Sequence, residues 1–198
     1  MSGAREISAA DPFELFDGWL KQAAESEPND PNAAALATST TDGAPSVRMV
    51  LVKRVGEHRF CFFTNAESRK GTELAENPRA ALCFHWKSLR RQVRVEGPIS
   101  ELDARDVDKY FHSRSRASQI SAAVSDQSRV LESREELERR VERFSLQHTG
   151  TIPRPSFWRG FELRAERIEF WMDGPHRLHD RFLFVKGRDG WQKARLYP

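Results

Sequence analysis

The chain predicts a mostly β fold, an antiparallel barrel with short helices on its flanks. Three observations point there. Six or seven short strand-like runs are separated by turn residues. Helical periodicity is confined to a few capped stretches. No repeat, low-complexity segment or interdomain linker interrupts the 198 residues, which predicts one domain over 1–198 with a short N-terminal arm over 1–10.

The elements follow in order. In "DPFELFDGWLKQAAES", Asp11 suits a helix cap, Pro12 the first helical position and Glu14 a capping box. Phe13, Phe16, Leu20 and Ala23 share one helical face, with Trp19 beside it. "AALATSTTDGAPSVRMVLVKRV" reads as strand, turn at Asp42-Gly43, strand, and "RFCFFTN" as a third strand. "SRKGTELAENP" is a short helix ended by Asn77-Pro78. "RAALCFHW" and "RQVRVEGPISEL" are strands around the loop "KSLR". "DARDVDKYFHSRSRASQISAAV" and "SREELERRVERFSLQH" are helical, the second opening on a Ser133–Glu136 capping box. After the proline-bearing loop "GTIPRPSFW", the chain returns to strands in "GFELRAERIEFW", "DRFLFVKGR" and "WQKARLYP", with a turn near Asp189-Gly190.

Composition bounds the function. Hydrophobic residues make up 38% and charged residues 31%, as in a soluble protein. No apolar run approaches the ~20 residues of a membrane helix, and the N-terminus has no apolar export core. Cys61 and Cys83 lie in apolar runs without metal spacing and read as free thiols of a cytoplasmic protein. The net charge of +3 is carried by arginine clusters and permits an anionic ligand. Aromatics at base-stacking spacing among the basic residues are lacking, so nucleic acid is not expected.

Several chemistries fail. There is no dinucleotide fingerprint, no phosphate-binding P-loop and no G-x-S-x-G serine elbow. His176 and His179 lack a convincing third metal ligand, so no metal is expected. What remains is a set of cations and hydroxyls at element ends. Arg48 and Lys53 bracket "RMVLVK"; five apart on a regular strand they face opposite sides, and they meet one ligand only across a bulge or at the strand's end. Thr64 ends a strand, and Ser68, Arg69 and Lys70 open a helix whose free N–H groups suit a phosphate. An exposed helix start that happens to be basic is the alternative. Tyr110, Arg114 and Ser118, four apart in succession, share a face of one helix and suit a second anion, unless Tyr110 is core and Arg114 solvated. Gln92, Gln127 and Ser128 suit a polar heterocycle. Read as extended, "HRLHDRF" points Arg177, His179 and Arg181 to one side. Such a row is either a solvated edge or a face that meets something anionic or aromatic.

Together "RMVLVK", "FFTNAESRKGTELAENPRAAL", "RQVRVEG", "YFHSRSRASQI", "DQS", "PSFWRGFEL", "IEFW", "RLHDRF" and "RLYP" resemble the pyridoxine/pyridoxamine 5′-phosphate oxidases, in consistent order from about Asp11 to Pro198. The resemblance implies an FMN-binding split β-barrel that forms a homodimer, with FMN at the subunit interface. It implies oxidation of pyridoxine 5′-phosphate or pyridoxamine 5′-phosphate to pyridoxal 5′-phosphate, with O2 as acceptor and H2O2 as product.

It also implies roles. Arg48, Met49, Val50, Leu51, Val52, Lys53, Phe63, Thr64, Arg69, Lys70, Gln92, Gln127 and Ser128 would hold FMN, joined by Trp171 and Arg181 from the partner end of the site. Lys53, Tyr110, Arg114 and Ser118 would hold the substrate phosphate. Arg177 and His179 would lie against the pyridine ring as the catalytic pair, positioning it without obligatory proton transfer. A related flavin oxidase of another aromatic metabolite, as in a phenazine pathway, is the alternative; such a relative should lack the Tyr110/Arg114/Ser118 set. A non-catalytic flavin-binding protein is the other. One departure stands out: family members often carry a longer arm with an Arg-x-x-Tyr lid, whereas here only ten residues precede Asp11, with Arg5 and no tyrosine.

Overall fold

Alternating apolar and polar residues write the sheet, because successive strand side chains point to opposite faces. The computed structural model describes residues 10–54 and 59–198. All but one residue of the arm expected over 1–10 lies outside them. Helix α1 (Pro12–Ser26) begins where Asp11 accepts the Phe13 N–H at 2.8 Å, with Pro12 in the first turn. Strands β1 (Ala33–Ser39) and β2 (Pro45–Leu51) form a hairpin through Gly43, whose φ of +88° suits glycine.

The chain then breaks at Val52. Its N–H donates to the Asn32 carbonyl at 2.9 Å, and its own carbonyl accepts from the Asn32 side chain at 3.0 Å. The next residues form β3 (Lys53–Arg54), which pairs with β4 (Phe60–Asn65). Helix α2 (Arg69–Glu76) leads to β5 (Arg79–Trp86) and the long β6 (Arg91–Glu101). Residues 91–96 of β6 pair with β8 (Arg167–Met172), and residues 99–101 with β7 (Trp158–Leu163). Gly97 sits between these registers; a Cβ there would lie 2.0 Å from the Arg164 carbonyl oxygen. Strands β9 (Asp180–Gly187) and β10 (Gly190–Leu196) extend the sheet as a hairpin.

The main sheet therefore runs β10-β9-β8-β6-β5-β1-β2, while β3, β4 and β7 wrap back onto β6. Every pairing is antiparallel. This is the expected split barrel, held open between β2 and β3. Among the described residues it has ten strands and not six or seven. One reason is that "GFELRAERIEFW" divides into β7 and β8 at the corner opposite Gly97.

Phe16 of α1 plugs the barrel, its ring 4.9 Å from those of Phe60 and Phe84, and Trp19 lies 5.1 Å from Phe170. A second, smaller core holds Val107, Phe111, Ile120, Ile152 and Trp158. It joins α3 (Ala104–Ser113) and α4 (Arg116–Val124) to the barrel wall. The single helix expected over 103–124 is thus two helices. Ser115 turns aside to cap α4, its Oγ accepting the Ser118 N–H, and the break falls at Arg114. Helix α5 (Arg134–Gln147) starts on the expected cap, the Ser133 Oγ accepting the Glu136 N–H. No helix among the described residues is long and apolar enough to cross a membrane.

Candidate active site

The end of β4 and the start of α2 build an anion cradle. Asn65 Oδ1 accepts the Glu67 N–H at 2.7 Å, and the Ser68 hydroxyl donates to the Asn65 carbonyl at 2.6 Å. Ser68 therefore leaves the N–H groups of α2 without a side-chain cap, and no acidic residue occupies the first turn. Gly71 lets this turn close: a Cβ there would meet the Ala66 carbonyl oxygen at 2.1 Å. Lys70 is only 7% exposed. Its ammonium donates to Thr64 Oγ1 at 3.0 Å, Ser68 Oγ at 2.9 Å and Gln127 Oε1 at 2.6 Å, three uncharged oxygens. Burial, and then the charge of Arg48, pull its pKa from 10.5 to about 8.

Beside it lies a charged network. Glu73, 3% exposed, accepts from Thr38 and Ser46 and pairs with Arg48 at 3.4 Å and with the Arg69 Nε at 2.9 Å. Burial opposes its ionised form, but hydrogen bonds from Ser46, Thr38 and Arg69 and the charge of Arg48 hold its carboxyl at about 2. Arg48 also donates to the Leu36 carbonyl at 3.1 Å, to Thr38 and to Ser46.

On the next strand position, Phe63 stacks on Tyr110 at 4.0 Å and on Trp158 at 5.4 Å. Arg114 lies over Trp158 at 5.1 Å, and its Nη1 is buried without a partner among the described residues. Burial lowers its pKa. Ser118 stands in the first turn of α4, its hydroxyl 2.8 Å from that of Ser115.

A third group occupies the outer face of the main sheet. Register sets His85, Gln92, Trp171 and Arg181 in one row across β5, β6, β8 and β9. Arg181 donates to Glu169 at 2.9 Å and to the Tyr197 carbonyl at 2.9 Å, and Arg94 holds the other Glu169 oxygen at 2.8 Å. The hydrogen bond that Arg181 donates to Glu169 raises the Arg181 pKa. Between β8 and β9 the chain makes a short 3₁₀ turn (Pro175–Arg177) with His176 and Arg177 at φ of 54° and 65°, left-handed values that only strain reconciles with their side chains. The His179 ring lies 4.7 Å from that of Trp171, and its Nδ1 is 3.1 Å from Asp173 and 3.2 Å from the Gly174 N–H.

This assembly brings cations, helix N–H groups and stacked rings together, and sequence comparisons give its family. The profile described as pyridoxamine 5′-phosphate oxidase matches residues 20–148, and that described as the pyridoxine 5′-phosphate oxidase C-terminal dimerisation region matches residues 158–198. The chain belongs to the pyridoxamine 5′-phosphate oxidase family. It is 55% identical over 190 residues to the pyridoxine/pyridoxamine 5′-phosphate oxidase of Gluconobacter oxydans, covering 96% of this chain and 95% of that one. The Rhodospirillum rubrum enzyme of the same name is 56% identical over 194 residues, covering 95% and 96%. Among solved structures, PhzG from Burkholderia lata, in complex with tetrahydrophenazine-1-carboxylic acid, superposes with a TM-score of 0.89 at 30% identity, covering 96% and 94%. An FMN-binding protein from Nostoc punctiforme, at 14% identity and a TM-score of 0.75 over 96% of this chain and all of its own, shares the fold.

Against the sequence expectations for this family, the structure brings Thr64, Lys70 and Gln127 into direct contact, with Arg69 and Arg48 joined through Glu73. The expected interruption between Arg48 and Lys53 falls at Val52, which separates β2 from β3. Met49 and Leu51 are 63% and 50% exposed on the outer face, Val50 is half-buried and Val52 is buried. Ser128 is exposed at a φ of 75°.

Two expectations are corrected. Tyr110, Arg114 and Ser118 do not share one helix face; they end α3, bridge the gap and begin α4. Arg177, His179 and Arg181 do not form an extended row, because Arg177 belongs to the 3₁₀ turn and the strand begins at Asp180. Sequence reasoning missed Glu73, Glu169 and Asp173. Glu73 lies four residues after Arg69, a helical pairing interval, and Glu169 is a carboxylate inside an apolar strand. Asp173 gave no signal beyond its place before Gly174.

Proposed function

We propose that the chain is an FMN-dependent oxidase that converts pyridoxine 5′-phosphate or pyridoxamine 5′-phosphate to pyridoxal 5′-phosphate. The observation that carries this reading is Lys70, a buried ammonium meeting only uncharged oxygens beside an uncapped helix start. A terminal phosphate supplies the missing anion. The orphaned Arg114 Nη1 asks for a second one. The residue set therefore fits both the flavin and a phosphorylated substrate. The family relatives bear the oxidase name at 55–56% identity.

Arg48, Arg69, Lys70, Thr64, Gln127 and Ser128 would hold the flavin's phosphate side chain, with residues 49–53, Phe63 and Gln92 beside its ring. Trp171 and Arg181 would come from a second copy. β2 and β8 are separated by β1, β5 and β6, four strand spacings or roughly 19 Å along the sheet. That span, together with the dimerisation-region match, supports a homodimer with shared sites. When bound, FMN supplies a two-electron acceptor that O2 regenerates as H2O2 forms.

The protein's part is to bind and orient. Lys53, Tyr110, Arg114 and Ser118 clamp the substrate phosphate, which fixes the reacting carbon in place. Arg177 and His179 cover the pyridine ring, a planar guanidinium being able to stack while donating. The His179 Nδ1 faces a carboxylate that needs a proton there and an N–H that needs a lone pair. Donating to Asp173 and accepting from Gly174 require opposite tautomers, so the two groups compete for this nitrogen and hold the ring in place whichever is met. We place the enzyme in the cytoplasm, in keeping with two cysteines that form no disulfide among the described residues.

The test is aerobic turnover of the FMN-loaded protein with pyridoxine 5′-phosphate. Pyridoxal 5′-phosphate and peroxide are expected in equal amounts; absence of both overturns the reading. The likeness to PhzG favours one second reading, oxidation of an unphosphorylated aromatic, which requires turnover to be indifferent to the phosphate.

A further inference from the structure

Three cations, Arg48, Arg69 and Lys70, converge at the start of α2, and one buried carboxylate stands among them. We infer that Glu73 is a positioning residue of this cradle, holding Arg69 and Arg48 in the orientation that meets a phosphate monoester. The inference rests on the FMN reading and adds to it a residue that touches neither cofactor nor substrate.

The geometry distributes the Glu73 oxygens unequally. Oε1 accepts from the Arg69 Nε at 2.9 Å. That leaves both terminal nitrogens of Arg69 without a hydrogen bond among the described residues, on a side chain 63% exposed. A guanidinium gripped at its inner edge is aimed, so less rotamer freedom is lost when its outer edge binds an anion. Oε2 accepts from Thr38 on β1 and Ser46 on β2 and faces Arg48 at 3.4 Å. The carboxylate thus ties the helix that offers its N–H groups to the two strands behind it.

The charges also balance. Three cations and one carboxylate leave a surplus near +2, matching a phosphate monoester of about −1.5 to −2. The low pKa of Glu73, about 2, keeps it charged throughout the neutral range.

The experiment compares FMN and riboflavin, which differ only in the phosphate, by quenching of flavin fluorescence in the apo-protein. Wild type, Glu73→Gln and Glu73→Asp are titrated with each. Both variants are expected to lose about tenfold or more in FMN affinity while riboflavin affinity stays within about twofold. Three alternatives have other signatures. A carboxylate that merely competes with the phosphate gives tighter FMN binding in Glu73→Gln. One that supplies only charge leaves Glu73→Asp like wild type. One that only supports the fold lowers both affinities together and leaves their ratio unchanged. Each of these overturns the inference. Should both variants fail to fold, Arg69→Lys tests the same aim, because lysine keeps the charge without the gripped inner edge. It is expected to lose the FMN preference, and a wild-type ratio overturns the proposal. A wild-type protein that binds FMN no better than riboflavin sinks the FMN reading itself, a result distinct from any change in the variants.

Discussion

Lys70 is where the chemistry of a single residue is most exposed to test. Its ammonium is nearly buried and its pKa is drawn down to about 8 by burial and Arg48. In the unfolded chain a lysine titrates near 10.5. Burying the charged form therefore destabilises the apo-protein fully below pH 8, and this penalty is relieved as pH rises from 8 to 10.5. Phosphate binding favours the charged form. FMN affinity is accordingly expected to hold between about pH 7 and 8, where the phosphate carries most of its second charge, and to weaken above pH 8, as read by flavin titration across pH. In Lys70→Met the affinity at neutral pH should fall by about 1.5–3 kcal/mol, and the Lys70 component of the pH dependence should vanish. A variant that keeps the same alkaline decline as wild type assigns the decline elsewhere.

Arg177 and Arg181, four residues apart, are expected to fail differently. Arg177 is exposed in a strained turn, whereas Arg181 is tied to Glu169. Arg177→Lys keeps charge but loses the planar stack. It should cut kcat/KM about tenfold or more at saturating FMN, while Arg181→Lys should act mainly on FMN retention. His179→Asn should retain measurable flavin reduction in stopped flow; complete loss with substrate still bound makes His179 an obligatory acid–base group.

At the scale of elements, α2 is held to β1 and β2 through Glu73. A free carboxyl titrates near 4.5 and this one near 2. Its contribution to stability is thus present above pH 4.5 and lost as pH falls from 4.5 towards 2. Glu73→Gln is expected to flatten that part of the acid-unfolding curve, followed by circular dichroism; an unchanged acid slope removes Glu73 from the account. The elements were largely legible because their signals are local. Asp11-Pro12, Ser133 and Asp42-Gly43 mark caps and a turn through their own side chains and backbone preferences. Illegible were the places where tertiary contacts override local preference. Spacing of four joined Tyr110, Arg114 and Ser118 on paper, but the Ser115 cap divides them between two helices. Period two aligned Arg177 with His179 and Arg181, but Gly174 and Pro175 start a turn. The cations that the structure gathers at the candidate site could be named from sequence. The buried carboxylates that orient them, Glu73 and Glu169, could not, because their partners lie far away in the chain.

At the scale of the molecule, β6 of the first matched family segment pairs with both β7 and β8 of the second. We therefore propose that the two segments fold as one domain. The phosphate cradle and the Trp171–Arg181 row lie far apart on that sheet. The outer face of β1, β2 and β5 carries Ala33, Ala35, Cys83, Met49 and Leu51 around a cavity of about 760 Å³, which Glu27, Asp30, His85 and Lys87 also line. A second copy against this face would complete each site from two chains. Mixing a Lys70→Ala protein with an Arg181→Ala protein, at an FMN concentration where neither alone retains flavin and under conditions that exchange subunits, is expected to restore part of the activity. A mixture that stays dead after demonstrated exchange makes the site the property of one chain.

The most direct measurement of the whole proposal is anaerobic. The FMN-loaded protein is mixed with pyridoxine 5′-phosphate, and in parallel with unphosphorylated pyridoxine, while the flavin absorbance is followed. Rapid bleaching by the phosphorylated compound is expected, with pyridoxine far slower at the same concentration, because the Arg114 cluster then lacks its anion. Flavin that stays yellow with both, or that bleaches equally with both, contradicts it.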